Sequence, residues 1–187
     1  MTGSRWQILL FCCALLTACG TQYRDPAVPL SAQADVDFRQ YGGLWYEIAR
    51  FPVFFQTGCV GTTASYGQID ATMISVKNTC RQGTLDGRER SIAGRAQIVG
   101  PGQLLVQFGS VPFFKAPYWV LWVDEEYQTA VVGTPNGKAG WILSREPQIA
   151  EIALTEAQQV LRDNGYQPDD LIFVPQRIST ANGVPDQ

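Results

Sequence analysis

The chain of 187 residues contains no histidine. Ser-His-Asp and Cys-His catalysis, His-ligated zinc and proximal-histidine haem are therefore excluded in their usual forms. A basic surplus is also missing: 14 Lys and Arg stand against 17 Asp and Glu, so no nucleic-acid partner is expected for want of cations to neutralise phosphates. Long apolar runs are absent as well. The longest, Ile8 to Leu16, falls short of the ~20 residues that a membrane-spanning helix needs. No pattern of metal ligands or cofactor-binding residues takes the place of these absences, and neither a metal nor a cofactor is expected.

What is present begins at that short run. Arg5 supplies a positive n-region, Ile8 to Leu16 an apolar h-region, and small residues precede a cysteine, the layout of a cleaved secretory signal. Leu16-Thr17-Ala18-Cys19 resembles the lipobox of bacterial lipoproteins, in which that cysteine is acylated and becomes the first residue. Removal of the first 18 residues from 187 leaves 169, with 13 basic and 17 acidic side chains, a length that fits one domain. By the same resemblance Gly20, standing where inner-membrane lipoproteins often carry aspartate, points to the outer membrane of a bacterial envelope, facing the periplasm. Residues 19–35 contain Pro26 and Pro29 and no periodicity, and are expected to be an extended tether. Its last 15 residues could reach about 50 Å.

Five cysteines then sort themselves. Cys12 and Cys13 leave with the signal, Cys19 carries lipid, and Cys59 and Cys80 remain in an oxidising compartment where a disulfide is the default. Two strand-like runs lie between them. A turn near Ile69 and Asp70 pairs positions whose numbers sum to 139, which sets Cys59 opposite Cys80 within disulfide range.

From Leu44 onward, short β-rich runs alternate with Gly, Pro, Asn and Asp. The spacing predicts strands at 44–50, 59–68, 73–81, 90–99, 103–109, 117–124, 128–134 and 138–145. Eight strands joined by short turns make an all-β protein, an antiparallel up-and-down barrel able to hold one small ligand. Pro147 near a first turn, then Ile149, Ile152, Ala153, Ala157, Val160 and Leu161 at helical spacing, with Gly165 at the C′ position, predict one C-terminal α-helix packed outside the barrel. Leu171 to Val174 reads as a short ninth strand. The barrel domain spans 36–176 and a tail covers 177–187.

Three segments carry a family resemblance. Gly43-Leu44-Trp45-Tyr46-Glu47-Ile48-Ala49-Arg50 resembles the G-x-W motif that opens lipocalins, close to bacterial outer-membrane lipocalins in wording; Asp124 to Ala130, with Tyr127 displaced by a residue, resembles the second motif; Trp141-Ile142-Leu143-Ser144-Arg145 resembles the third. The resemblance implies that Trp45 packs beneath Arg145 at the closed end as a structural pair. It also implies a ligand cavity.

Strand alternation turns Glu47, Leu104, Val106, Phe108, Tyr118, Val120, Trp122, Trp141 and Leu143 inward. These side chains either fill a solid core or line a cavity; Gly94 and Ala96 are small where a filled core wants volume. Glu47 needs a partner, either Arg145 or a ligand headgroup. Loops one and five share the mouth and carry Phe54, Phe55, Phe113 and Phe114, which either cap the cavity or present an apolar patch. Lys115 and Arg50 near them could meet a phosphate or carboxylate.

The reading is a lipid-anchored, non-enzymatic protein that binds, stores or transports a fatty acid such as palmitate, or a lysophospholipid. A lipocalin-fold enzyme using Glu47 or Tyr118, and a protein-interaction module using the aromatic rim, are the alternatives, with homodimerisation left open.

Overall fold

The computed structural model describes residues 21–111 and 113–178, so the signal segment and Cys19 lie outside the described residues. A one-turn helix, α1 (Phe38–Tyr41), is capped by Asp37, whose carboxylate accepts the Arg39 amide at 2.8 Å. It delivers the chain into β1 (Gly43–Arg50), β2 (Cys59–Gln68), β3 (Met73–Gln82), β4 (Glu89–Gly100), β5 (Gln103–Phe108), β6 (Ala116–Val123), β7 (Thr129–Gly133) and β8 (Gly140–Ser144). Every strand end falls within two residues of its expected place. Helix α2 (Glu151–Asp163) and strand β9 (Ile172–Phe173) follow.

All sequential neighbours are antiparallel, and β1 pairs with both β2 and β8. The sheet thus closes into an eight-stranded up-and-down barrel. The contact of β1 with β2 ends at Tyr46. Beyond it the C-terminal segment fills the gap: β9 pairs with Ala49 and Arg50, the Gly61 amide donates to Pro175 O, and Gln176 Nε2 donates to Glu47 O and Thr62 O at 2.8 and 2.9 Å.

Apolar side chains bury themselves in two layers. Inside the barrel lie Trp45, Tyr66, Ile74, Val76, Leu104, Val120, Val132 and Leu143. Between barrel and α2 lie Ile48, Phe51, Leu121, Val131, Ile142, Ala157, Leu161 and Tyr166. The helix is therefore packed outside, as expected, but it begins at Glu151 rather than near Pro147. Residues 145–150 turn the corner from β8 to the outer face, and Ile152 points to solvent.

The expected tether is not extended. Residues 21–35 lie against the barrel and α2: the Tyr23 amide donates to Gly137 O and Asp25 N to Gly165 O, both at 2.8 Å, and Gln33 N donates to Val120 O at 2.9 Å. Tyr23 and Arg24 are buried. Backbone pairing and isolated side-chain contacts, the Tyr23 hydroxyl on Pro52 O and Arg24 Nε on Asn164 O, hold this strip without a repeating pattern, so its lack of periodicity did not mean freedom.

Cys59 and Cys80 are joined, their Cα atoms 5.4 Å apart. The register that suggested the pairing is different. Cys59 faces Gln82 and Tyr66 faces Val76, because the turn occupies 69–72, with the Asp70 carboxylate accepting the Thr72 amide at 2.7 Å. A bulge between Val60 and Thr63, where Gly61 takes φ +55°, absorbs an extra residue. The cysteines are diagonal rather than opposite, still within bonding range. Replacing both by serine is expected to lower unfolding stability by about 3 kcal/mol, read as a lower urea midpoint with unchanged far-UV circular dichroism.

Candidate functional site

In a closed meander the odd connections, 51–58, 83–88, 109–115 and 134–139, share one end, the mouth; 69–72, 101–102 and 124–128 share the other. Burial grades along that axis. On the floor, Trp45, Ala96, Leu104, Val120 and Ala130 are all 0% exposed. Toward the mouth, inward positions Asn78, Gly94, Phe108 and Trp141 are only half-buried and Ile92 is exposed, while Glu47 and Arg50 on β1 are buried; Tyr118, half-buried, stands between the two levels, opposite Leu104. The lower half is a solid core; the upper half opens as a cup beside β3, β4 and β5, and is closed on the β1 side by Glu47 and Arg50. A pocket of about 350 Å³ opens beside Phe108 between β4 and β5, lined also by Ala93, Gly94, Arg95, Gln107 and Gly109.

Of the residues expected inside, Val106, Val120 and Leu143 pack into the inner cluster, with Phe108, Tyr118 and Trp141 against it. Trp122 does not. A bulge between Val120 and Trp122 breaks the alternation, so Leu121 and Trp122 both face the outer layer and Val123 turns inward. Small side chains on β4 are also not a sign of empty space: a Cβ on Gly94 would lie 2.4 Å from Gln107 O and 2.9 Å from the Phe108 ring, and Ala96 is wholly enclosed.

Two polar groups interrupt the apolar wall. The Tyr66 hydroxyl donates to that of Tyr118 at 2.8 Å, and the Tyr41 and Tyr118 hydroxyls share a bond of 2.7 Å. Burial pushes all three phenols above their ordinary range, so they remain protonated and serve as hydrogen-bonding handles. Higher on the wall, Glu47 pairs with Arg50, not with the expected Arg145: Arg50 Nη1 lies 2.7 Å from Glu47 Oε1, and Gln56 Nε2 donates to Oε2 at 2.7 Å. Trp141 Nε1 donates to Gln56 at 3.1 Å, continuing the network across β8. Burial raises the Glu47 pKa while Arg50 and Gln56 oppose the rise.

Arg50, expected near the mouth surface, is buried. The bulge between Glu47 and Ala49 puts both Ile48 and Ala49 on the outer face and turns Arg50 inward. Arg50 Nε, Thr62 Oγ1 and Asn78 Oδ1 are buried with no hydrogen-bond partner among the described residues. Tyr41, Tyr66 and Gln56 were missed in the sequence. The inward parity of β2 marks Tyr66, and Asp37 two residues before Arg39 marks the helical turn that presents Tyr41.

At the closed end, the Arg145 guanidinium lies 3.8 Å over the Trp45 ring. Its fork donates to the carbonyls of Leu44, Gln40, Gly42 and Tyr127 at 2.7–3.1 Å. Tyr127, in the left-handed region at φ 56°, accepts the Asp37 amide through its hydroxyl at 2.8 Å.

The mouth phenylalanines do not fold down over the cup. Phe54 is 90% and Phe113 100% exposed, and Phe55, Phe114 and Val111 are exposed beside them. Lys115 is exposed at the same rim.

The family model of the lipocalin-like domain matches residues 36–176. A putative lipocalin of Acanthamoeba polyphaga mimivirus is 36% identical over 151 residues, covering 75% of this chain and 85% of that protein. The outer membrane lipoprotein Blc of Citrobacter freundii is 31% identical over 165 residues, covering 87% and 90%. Insecticyanin from the tobacco hornworm superposes with a TM-score of 0.62 at 20% identity, over 82% of this chain and 86% of the other. With a closed eight-stranded barrel, an external helix and an arginine stacked on the tryptophan of β1, the chain belongs to the lipocalin family.

Proposed function

We propose that this lipocalin is anchored through an acylated Cys19 in a bacterial outer membrane, facing the periplasm, where it binds and carries a fatty acid or lysophospholipid. The observation that carries the ligand reading is the graded burial of the barrel: a packed floor under an apolar, half-buried wall of Phe108, Tyr118 and Trp141. Lipocalins generally bind small hydrophobic molecules, and relatives such as Blc are outer membrane lipoproteins by name. Both support the reading.

The polar end of the ligand belongs at the rim. Arg50 is neutralised by Glu47, so a carboxylate pushed deep into the cup would meet no spare cation there and would lie near another carboxylate. Exposed Arg90 and Lys115 suit an anionic or zwitterionic head at the mouth while the tail descends. An enzymatic reading gains no support: both Glu47 oxygens are held, and the Tyr118 hydroxyl is tied to two others.

The test is fluorescence titration with bromine-tailed fatty acids and lysophospholipids of graded length. Quenching should disappear largely in Trp141→Phe and persist in Trp122→Phe, because only the first faces the cup. Each pair of methylenes removed should weaken binding roughly tenfold, at about 0.8 kcal/mol per methylene. Affinity independent of chain length, or quenching that follows Trp122, overturns the reading.

A further inference from the structure

We infer that the mouth of the barrel seats on a lipid bilayer, its phenylalanine loops immersed among the headgroups of anionic phospholipids, so that ligand passes between membrane and cup without crossing water. The inference deepens the proposed function and, for the anchor, rests on its reading of Cys19.

The first observation is the place of Tyr23 at the mouth end. Tyr23 donates through its backbone to Gly137 and through its hydroxyl to Pro52 O, each at 2.8 Å, and its ring stacks on Phe51 with centroids 4.9 Å apart. Gly137 and Pro52 both belong to mouth loops. From there the strip descends the barrel until the Asp37 amide meets Tyr127 at the closed end. Cys19 precedes Tyr23 by four residues, at most ~14 Å of extended chain. The 12-residue β4, tilted by about 45°, implies a barrel height of roughly 28 Å. A lipid on Cys19 therefore holds the mouth end against the bilayer, and turning the closed end to it would require stripping buried Tyr23 and Arg24 from their places.

The second observation is the surface that this geometry presents. Phe54, Phe55, Val111, Phe113 and Phe114 stand exposed on two loops of that end, an apolar concentration that soluble surfaces rarely leave uncovered. Acyl anchors commonly need such a second point of attachment.

Charge supplies the third observation. The mouth loops carry Arg88, Lys115 and Lys138 against a single carboxylate, Asp86, itself paired with Arg177 at 2.6 Å. The closed-end loops 69–72, 101–102 and 124–128 carry Asp70, Asp124, Glu125 and Glu126 and no Lys or Arg. An anionic leaflet attracts the first end and repels the second.

The full chain, expressed in a bacterial host and extracted from membranes, is reconstituted in vesicles of phosphatidylethanolamine and phosphatidylglycerol with brominated acyl chains. Single tryptophans are added as Phe54→Trp or Phe113→Trp at the mouth, and as Val99→Trp, an exposed position toward the closed end. Mass spectrometry reads acylation of Cys19 in the same samples. Expected is loss of most of the added emission for both mouth variants and none for Val99→Trp, on an acylated chain. Mouth quenching without an acyl mass overturns the reading of Cys19 and supports the docking surface. An acylated chain whose mouth tryptophans stay bright, with a second copy or a protein covering them instead, or whose Val99→Trp is quenched, overturns the docking.

Discussion

Replacing Glu47 or Arg50 singly is expected to cost about 3–5 kcal/mol, or roughly 10 °C in Tm at about 2–4 °C per kcal/mol for a chain of this size, whereas Glu47→Leu with Arg50→Met should recover much of the loss. The pair is buried on both sides and only 2.7 Å apart. Each single change leaves a charge enclosed without its counter-ion, and that desolvation cost is far larger than the value of a pair in water. The raised pKa of Glu47, caused first by burial, says that desolvation outweighs the attraction of Arg50. Removing both charges therefore removes a cost along with a bond. In the double variant Gln56 also loses an acceptor, and the carbonyls of Gln56 and Cys59 lose the Arg50 donor, so recovery stops about 2 kcal/mol short of the wild type.

A pH signature accompanies this. The folded state holds the Glu47 proton to a higher pH than the unfolded chain, so this group's contribution to stability is full below its ordinary value of 4.5 and is lost as pH rises through the folded value. The double variant should lack that decline. Chemical denaturation of the four proteins across pH 4 to 8 forms the double-mutant cycle, and a double variant no more stable than the worse single would refute the account.

The strands of this barrel were legible because turn residues punctuate runs of alternating pattern, and the closing arginine was legible through its place in a motif. What failed was parity. Period-two alternation assumes that no residue is added within a strand, and bulges at 47–49 and 120–122 each insert one. Arg50 consequently moved from the surface to the interior and Trp122 from the cup to the helix layer. A bulge without a glycine, as at Ile48 and Leu121, leaves no mark in the sequence. The strip 21–35 failed for another reason. Its attachments are backbone amides reaching Gly137, Gly165 and Val120 and single side-chain contacts such as Tyr23 on Pro52 and Phe51, and neither leaves a side-chain periodicity. That same strip determines which end of the barrel Cys19 is bound to.

Trp45→Ala is expected to be the most damaging single substitution on the floor, lowering stability by about 3–5 kcal/mol for the lost volume and by up to ~2 kcal/mol more for the lost cation–π contact. The indole is 0% exposed, and its Nε1 donates to Tyr41 O at 2.7 Å. It supports the guanidinium that gathers the last carbonyls of α1, the first turn of β1 and the Tyr127 loop at one point. Without that platform, the three segments closing the barrel lose their common tie. Arg145→Ala should cost nearly as much, because the carbonyls of Gln40, Gly42, Leu44 and Tyr127 lose donors at once. Arg145→Lys should recover only part, since a lysine keeps charge over the ring but not the planar fork. The floor is solid and lies below the cup, so at temperatures where the variants remain folded the dependence of affinity on ligand chain length should be unchanged. Calorimetry gives the stability order and ligand titration the second readout; a Trp45→Ala protein of near wild-type Tm with altered chain-length preference would place the tryptophan in the binding site and not in the closure of the barrel.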